Sequence, residues 1–301
     1  MPTARWAFDI RQTLLLEHIE PLVTSLTDNA DKPNIVPATN LLSFLPKIEC
    51  DRLLQFRAED DMRRALIGRL MIHAFFVAHY AVRWDELVFS RSQTNKPILA
   101  SVVQPEHLKG VSFNISHHGH WVILVGDTSL SDSALRLGVD VMDFQEQVPG
   151  ESFESFSACF LDQMTPNEMA FMKDTFENPD TPSSINDKLR RFYRMWCLKE
   201  SVVKALGFGI EFNLKSFEFT IHDEDETTTP IHSTTMQVLE PSPDFPGDGW
   251  WFEEALLDSN HCYAIATLTE GGETVLDGGE IRRFDWKELL KDAVPYPLQF
   301  T

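Results

Sequence analysis

Cysteine is scarce in this 301-residue chain: there are four, at 50, 159, 197 and 262, never at Cys-x-x-Cys spacing. That excludes a disulfide framework and a cysteine-based zinc site, and it suits reduced thiols in the cytosol. Long apolar runs are missing as well. None approaches the roughly 18 to 20 residues that span a bilayer, and Asp9 falls where a secretory leader would stay apolar. Positive charge is the third shortage. With 26 Lys and Arg against 46 Asp and Glu the net charge is −20, a poor balance for neutralising nucleic-acid phosphates. The expectation is a cytoplasmic protein that binds neither membrane nor nucleic acid. Its length and its 43% apolar content allow two domains with proper cores.

What is present concentrates at Phe192 to Gly207, Phe-Tyr-Arg-Met-Trp-Cys-Leu-Lys-Glu-Ser-Val-Val-Lys-Ala-Leu-Gly. The stretch reads as a helix ended by Gly207. Trp196, Glu200 and Lys204 recur every four residues and stack on one face, with Phe192, Val203 and Leu206 towards the core. A carboxylate and an ammonium one turn apart are more often a surface ion pair than a site. Here, however, Asp140 lies in a short upstream strand (Leu137 to Val141), and Ser116-His117 ends another. Together they suggest a metal-assisted phosphate site. From Lys188 to Lys215 there are seven basic residues and two acids. That local excess favours an anionic ligand or an acidic partner over a merely solvated face.

The periodicity predicts a long helix from Asp60 to Val82, with Leu66, Leu70, Ile72, Phe75, Phe76 and His79 on its apolar side. Strands follow at 111–116 and 121–125, with 117–120 as the turn. In the second half a helix over 188–206 precedes strands at 214–221, 249–254 and 262–268. A helix followed by a small meander, twice over, predicts an α+β protein of two similar lobes, 1–134 and 135–301, linked near 129–135. The breaker-rich stretches 177–187, 222–230 and 241–249 read as loops. The acids at 223–226 read as a solvated hairpin tip. Histidines 117, 118 and 120 do not read as a zinc cluster, because neighbours on a strand face opposite ways and no fourth ligand is near.

The chain resembles the Sfp-type 4′-phosphopantetheinyl transferases, most closely their eukaryotic, aminoadipate-semialdehyde dehydrogenase-phosphopantetheinyl transferase-like branch. The resemblance rests on Gly68-Arg69-Leu70-Met71-Ile72, Asn95-Lys96-Pro97-Ile98-Leu99, Phe113-Asn114-Ile115-Ser116-His117, Gly138-Val139-Asp140-Val141-Met142 and the Phe192 to Gly207 helix. These keep the family's order from about residue 50 to 220. The implied fold is two similar α+β lobes in pseudo-twofold relation, each a long helix on a small antiparallel sheet, with coenzyme A in the cleft. The implied reaction moves the 4′-phosphopantetheine arm of coenzyme A to a serine of an apo acyl or peptidyl carrier protein, or of an aminoadipate reductase. It releases 3′,5′-ADP and depends on Mg²⁺. A monomer is expected, and the small trimeric holo-synthases of the superfamily are excluded by length, since this chain contains both lobes.

The resemblance also implies roles. Asp140 and Glu200 hold the metal, Glu200 is the best candidate for the base with a metal-bound water as the alternative, and Lys204 offsets charge on the phosphates. Asp140, Glu200 and Lys204 form the catalytic set. Arg52 and Arg91 grip the 3′-phosphate, Arg91 to Lys96 lines the adenine pocket, and Arg64 is a further phosphate ligand. Asn114, Ser116, His117 and Lys199 complete the cofactor site. Met142 stands where bacterial members carry a third metal carboxylate, and Asp143 should face the other side of its strand. The seven basic residues offer a landing surface for an acidic carrier. Two alternatives compete: a non-catalytic coenzyme A or carrier-binding module of the same fold, and an unrelated Mg²⁺-dependent phosphate-ester enzyme.

Overall fold

The structure is a computed structural model. It describes residues 3–12, 38–92, 96–100, 108, 111–127, 135–145, 152–173, 182–209, 211–222, 228–269 and 279–296. The expected linker at 129–134, the acids at 223–226 and Asn95 lie outside them. The fold is mixed, with several helices on small sheets. In chain order come β1 (Thr3–Asp9), α1 (Lys47–Leu53), α2 (Glu59–Tyr80), β2 (Phe89–Arg91), β3 (Pro97–Leu99), β4 (Phe113–His118), β5 (Trp121–Asp127) and β6 (Leu135–Asp143). Then follow α3 (Phe153–Ala158), α4 (Pro166–Lys173), α5 (Pro182–Leu206), β7 (Phe217–Thr220), β8 (Thr235–Val238), β9 (Trp250–Asp258), β10 (His261–Thr269), β11 (Arg282–Phe284) and α6 (Trp286–Leu289).

Four strands form one sheet in the order β11-β1-β5-β4, and three form another in the order β6-β10-β9. Each carries a long helix. α2 lies on the first, with its Phe75 ring over Gly126, where a Cβ would approach the ring to 2.3 Å. α5 lies on the second at Gly138, where a Cβ would stand 1.9 Å from the Ser201 carbonyl oxygen and 2.4 Å from Ala205 N. Only a residue without a side chain lets strand and helix backbones come this close. Glu59, Asp60 and Asp61 in the first turn of α2 suit its helix dipole. Gly207, at φ +74°, ends α5 as expected.

The two sheets meet along β4 and β6, and the contact is made by side chains. Ser112 Oγ accepts from Leu137 N at 3.2 Å, Asn114 Oδ1 from Val139 N at 3.1 Å, and His118 Nδ1 from Asp143 N at 2.8 Å. The pairs advance together along both strands, so β4 and β6 run side by side in one direction. Ser116 falls in the same row, but its hydroxyl turns to the Asp140 carboxylate instead. A buried ion pair between Arg5 on β1 and Glu253 on β9 also ties the sheets, at 2.5 Å.

The sequence expectation assigned everything after residue 134 to the second lobe. The last described stretch returns to the first sheet instead. β11 pairs in parallel with β1, Phe284 and Trp286 pack on Trp6 and Phe8, and the Tyr296 hydroxyl donates to Leu87 O at 2.6 Å. A three-residue strand built from Arg282, Arg283 and Phe284 has too little pattern to be read from sequence.

Candidate active site

The side chains that the sequence singled out converge where β4, β6 and α5 meet. Asp140 is buried on β6. Its Oδ1 accepts from Ser116 Oγ at 2.8 Å and from Lys204 Nζ at 2.5 Å, and Lys204 also donates to Ser116 Oγ at 2.8 Å. Its Oδ2 is buried and has no hydrogen-bond partner. Glu200, one turn before Lys204, is half-buried. Burial, and then the negative charge of Asp140, raises its carboxyl above the ordinary range, with Lys204 opposing. An orphaned carboxylate oxygen beside a second carboxylate that resists ionising is a donor set suited to a cation. Oxygen-only ligands of this kind suit Mg²⁺, so the residues present fit the metal that the resemblance implies.

A cleft of about 330 Å³ opens beside this group, walled in part by Arg91, Lys96, Ser116, His117, Lys204 and Phe208. A second depression of about 360 Å³, lined by Arg52, Gln55, Phe56, Arg69 and Arg91, shares Arg91 with it. The two together give an extended groove with basic groups along its length. The cleft walls, followed by the cations Lys204 and Arg64, lower the proton affinity of His117. It is therefore neutral at pH 7. Burial also lowers Lys96, and burial with the neighbouring cations Arg69 and Arg52 lowers Arg91. A set of crowded cations is stabilised by an incoming anion.

Three expected ligands are engaged elsewhere. Lys199 is fully buried on the far side of α5, where its ammonium donates to Leu214 O and Phe217 O and pairs with buried Glu168 at 2.9 Å. It is not among the groups lining the cleft. Arg64 donates to Gly119 O at 2.5 Å and pairs with Asp61, bracing the β4–β5 turn. Asn114 does line the cleft, but its amide oxygen holds Val139 N. Two residues were missed. Arg69 faces the second depression, and buried Glu49 clasps it and Arg52 at 2.5 and 2.8 Å. Contacts between α1 and α2 leave no periodic signal.

The seven basic residues expected to form a landing surface divide between the interior and the surface. Lys188, Arg194 and Lys199 are buried, Arg194 on Glu254 at 2.6 Å. Arg190 and Arg191 donate to Ser259 O and Phe171 O, and Lys204 turns to Asp140. Three of the charges thus turn inward under β10 and α4, while Arg190, Arg191 and Lys204 keep partial exposure and Lys215 is exposed. Trp196 likewise belongs to an aromatic cluster with Phe160 and Phe192, not to the site.

Comparison with known proteins decides the family. Residues 32–129 match the model described as 4′-phosphopantetheinyl transferase, N-terminal, and 136–242 that of the 4′-phosphopantetheinyl transferase superfamily. A phosphopantetheinyl transferase of Thraustochytrium is 30% identical over 85% of this chain and 80% of its own length.

The chain belongs to the 4′-phosphopantetheinyl transferase family.

A transferase of Paxillus involutus is 30% identical over 89% of this chain and 95% of its own. The human L-aminoadipate-semialdehyde dehydrogenase-phosphopantetheinyl transferase is 29% identical over 82% and 78%. These relatives and the N-terminal model put the chain in the eukaryotic branch. It is an enzyme that transfers the phosphopantetheine group.

Proposed function

We propose that the enzyme takes the arm from coenzyme A bound along the groove, with the 3′-phosphate at Arg52, Arg69 and Arg91 and the pyrophosphate beside Ser116, His117 and Lys204. Asp140 and Glu200 would hold Mg²⁺, which when bound neutralises charge on the pyrophosphate and on the departing 3′,5′-ADP. The serine Oγ of the carrier attacks the phosphorus nearest the pantetheine, and the bond from that phosphorus to the bridging oxygen of the pyrophosphate breaks. The serine proton passes to a base, for which Glu200 and a water held by the metal are the two candidates. Lys204 stays within reach of the leaving phosphate oxygens. The two helix-covered sheets serve as two similar lobes with the groove between them, acting as a cytoplasmic monomer on acyl, peptidyl or aminoadipate reductase carriers.

The observation that carries this reading is the buried, unpartnered Asp140 Oδ2 at the head of a groove lined with basic groups. The test is incubation with coenzyme A, Mg²⁺ and an apo carrier domain, followed by intact mass. The carrier should gain one phosphopantetheine and 3′,5′-ADP should appear, and chelation should stop both. Coenzyme A binding without transfer to any carrier class would favour the binding-module alternative.

A further inference from the structure

The three histidines of the β4–β5 region part ways. His117 borders the cleft, His118 accepts from Asp143 N, and His120 crosses to the β9–β10 turn. There its Nε2 lies 3.0 Å from Asp258 Oδ2, while Asp258 Oδ1 lies 2.9 Å from His261 Nδ1. The two imidazoles stand edge to face, 4.2 Å between centroids, and one donor atom from each of the three residues falls within 4.8 Å of the others. Gly119, at φ +53°, is pressed onto this group. A Cβ there would meet His261 Nε2 at 2.3 Å and Asp143 Oδ2 at 2.8 Å.

A second observation concerns His261 Nε2. The side chain is 1% exposed and this nitrogen has no hydrogen-bond partner. With the Nδ1 proton given to Asp258, a neutral imidazole presents a bare lone pair at Nε2. It faces the Asp143 carboxylate at 3.4 Å, an acceptor opposed to an acceptor. Two imidazoles and two carboxylates from three separate turns therefore surround a place suited to a cation.

We propose that His120, Asp258 and His261, with Asp143 alongside, form a binding site for a divalent transition-metal ion of the Zn²⁺ class. Imidazole nitrogen selects such ions over Mg²⁺, which takes oxygen. The site is separate from Asp140 and Glu200, because Asp140 and Asp143 leave β6 on opposite faces. It would pin the Gly119 turn, whose carbonyl receives Arg64, to both the end of β6 and the β9–β10 turn. It uses nothing assigned to the transfer reaction.

The test is titration of metal-stripped full-length protein with Zn²⁺ against a chromophoric chelator, in excess Mg²⁺, with Co²⁺ as a spectroscopic substitute. One equivalent should bind, Co²⁺ should show the intense visible bands of low coordination without thiolate charge transfer, and Zn²⁺ should raise the melting temperature. His120→Gln and His261→Gln should each weaken that equivalent at least tenfold, and Asp140→Ala should leave it intact. If His261→Gln fails to fold, His120→Gln alone decides, since His120 lies nearer the surface. Absence of Zn²⁺ binding, displacement by Mg²⁺, or unchanged affinity in His120→Gln would overturn the site.

Discussion

Asp140 has one oxygen satisfied by Ser116 and Lys204 and one with no partner, and the difference determines what its replacement does. Asp140→Ala removes the anchor of Lys204 and, on the proposed reading, a metal ligand. Transfer should fall by about 10² to 10³, the usual loss for a preorganised charge at a reacting centre. Glu200→Gln keeps volume and removes charge alone, so it should fall comparably with little change in melting temperature. Without Mg²⁺ the Glu200 carboxyl is raised, so its ionised form, the one able to hold the metal or take a proton, is lost as pH falls through a value above the ordinary 4.5. The wild-type rate should show that acid limb, and Glu200→Gln should lack it. A flat profile in wild type would remove Glu200 from the role of base. Lys199 makes the opposite case. Lys199→Met leaves Glu168 buried and unpaired, which costs about 3 to 5 kcal/mol and should appear in the melting temperature. Any surviving folded enzyme should keep its KM for coenzyme A. A raised KM at unchanged melting temperature would return Lys199 to the ligand site.

Among the elements, α5 and β6 do most to build the site, and their contact depends on Gly138. Gly138→Ala drives a methyl into the Ser201 carbonyl and the backbone of Ala205, atoms that cannot rotate away. The strand must retreat and carry Asp140 from Glu200 and Lys204. Expected are a loss of stability of about 1 to 3 kcal/mol and a drop in kcat larger than the rise in KM, read by thermal melting and steady-state transfer. The same two elements mark what was legible. Period-3.6 patterning revealed α5, a dense apolar stretch revealed α2, which is buried on nearly every side, and a continuous apolar run revealed β5, because burial writes itself into those strings. Asp140, Glu200 and Lys204 were legible through their motif and do meet. Glu49 and Arg69 were not, since a buried acid clasping two arginines looks in sequence like ordinary helix charge. The basic run from Lys188 to Lys215 was only partly legible, for a related reason. Counting charge along a helix says nothing of which charges turn inward to Glu168 and Glu254. The three histidines do not form one group, as expected, and the partners of His120, some 140 residues downstream, leave no local signal.

At the scale of the molecule, the chain closes on itself. β1, near the start, is sandwiched between β5 and β11, so the first sheet holds both the first and nearly the last described residues. Phe284 and Leu289 bury themselves there, each worth about 1.5 to 3 kcal/mol. Tyr296 reaches Trp84 O and Leu87 O, just ahead of β2 and Arg91, and lies 3.1 Å from His73 Nε2. His73 is wholly buried, and desolvation lowers its pKa to about 4 from 6.5. A lowered folded value means the unfolded chain binds the extra proton. Stability from this group is therefore complete above about 6.5 and is lost as pH falls towards 4, by about 3 kcal/mol in all. Ending the chain after Gly279 removes β11, α6 and Tyr296 together. The shortened enzyme should melt lower by an amount matching the two lost apolar side chains. Its KM for coenzyme A should rise because the segment carrying Arg91 loses its brace. Its stability should also vary less between pH 6.5 and 4, since an opened His73 is hydrated and titrates near its ordinary value. Tyr296→Phe separates the effects, removing the brace while keeping the packing, so it should raise KM with a smaller change in melting temperature. If the truncated chain keeps wild-type KM and the wild-type pH dependence of stability, the C-terminal return is packing alone and has no hold on the nucleotide end of the groove.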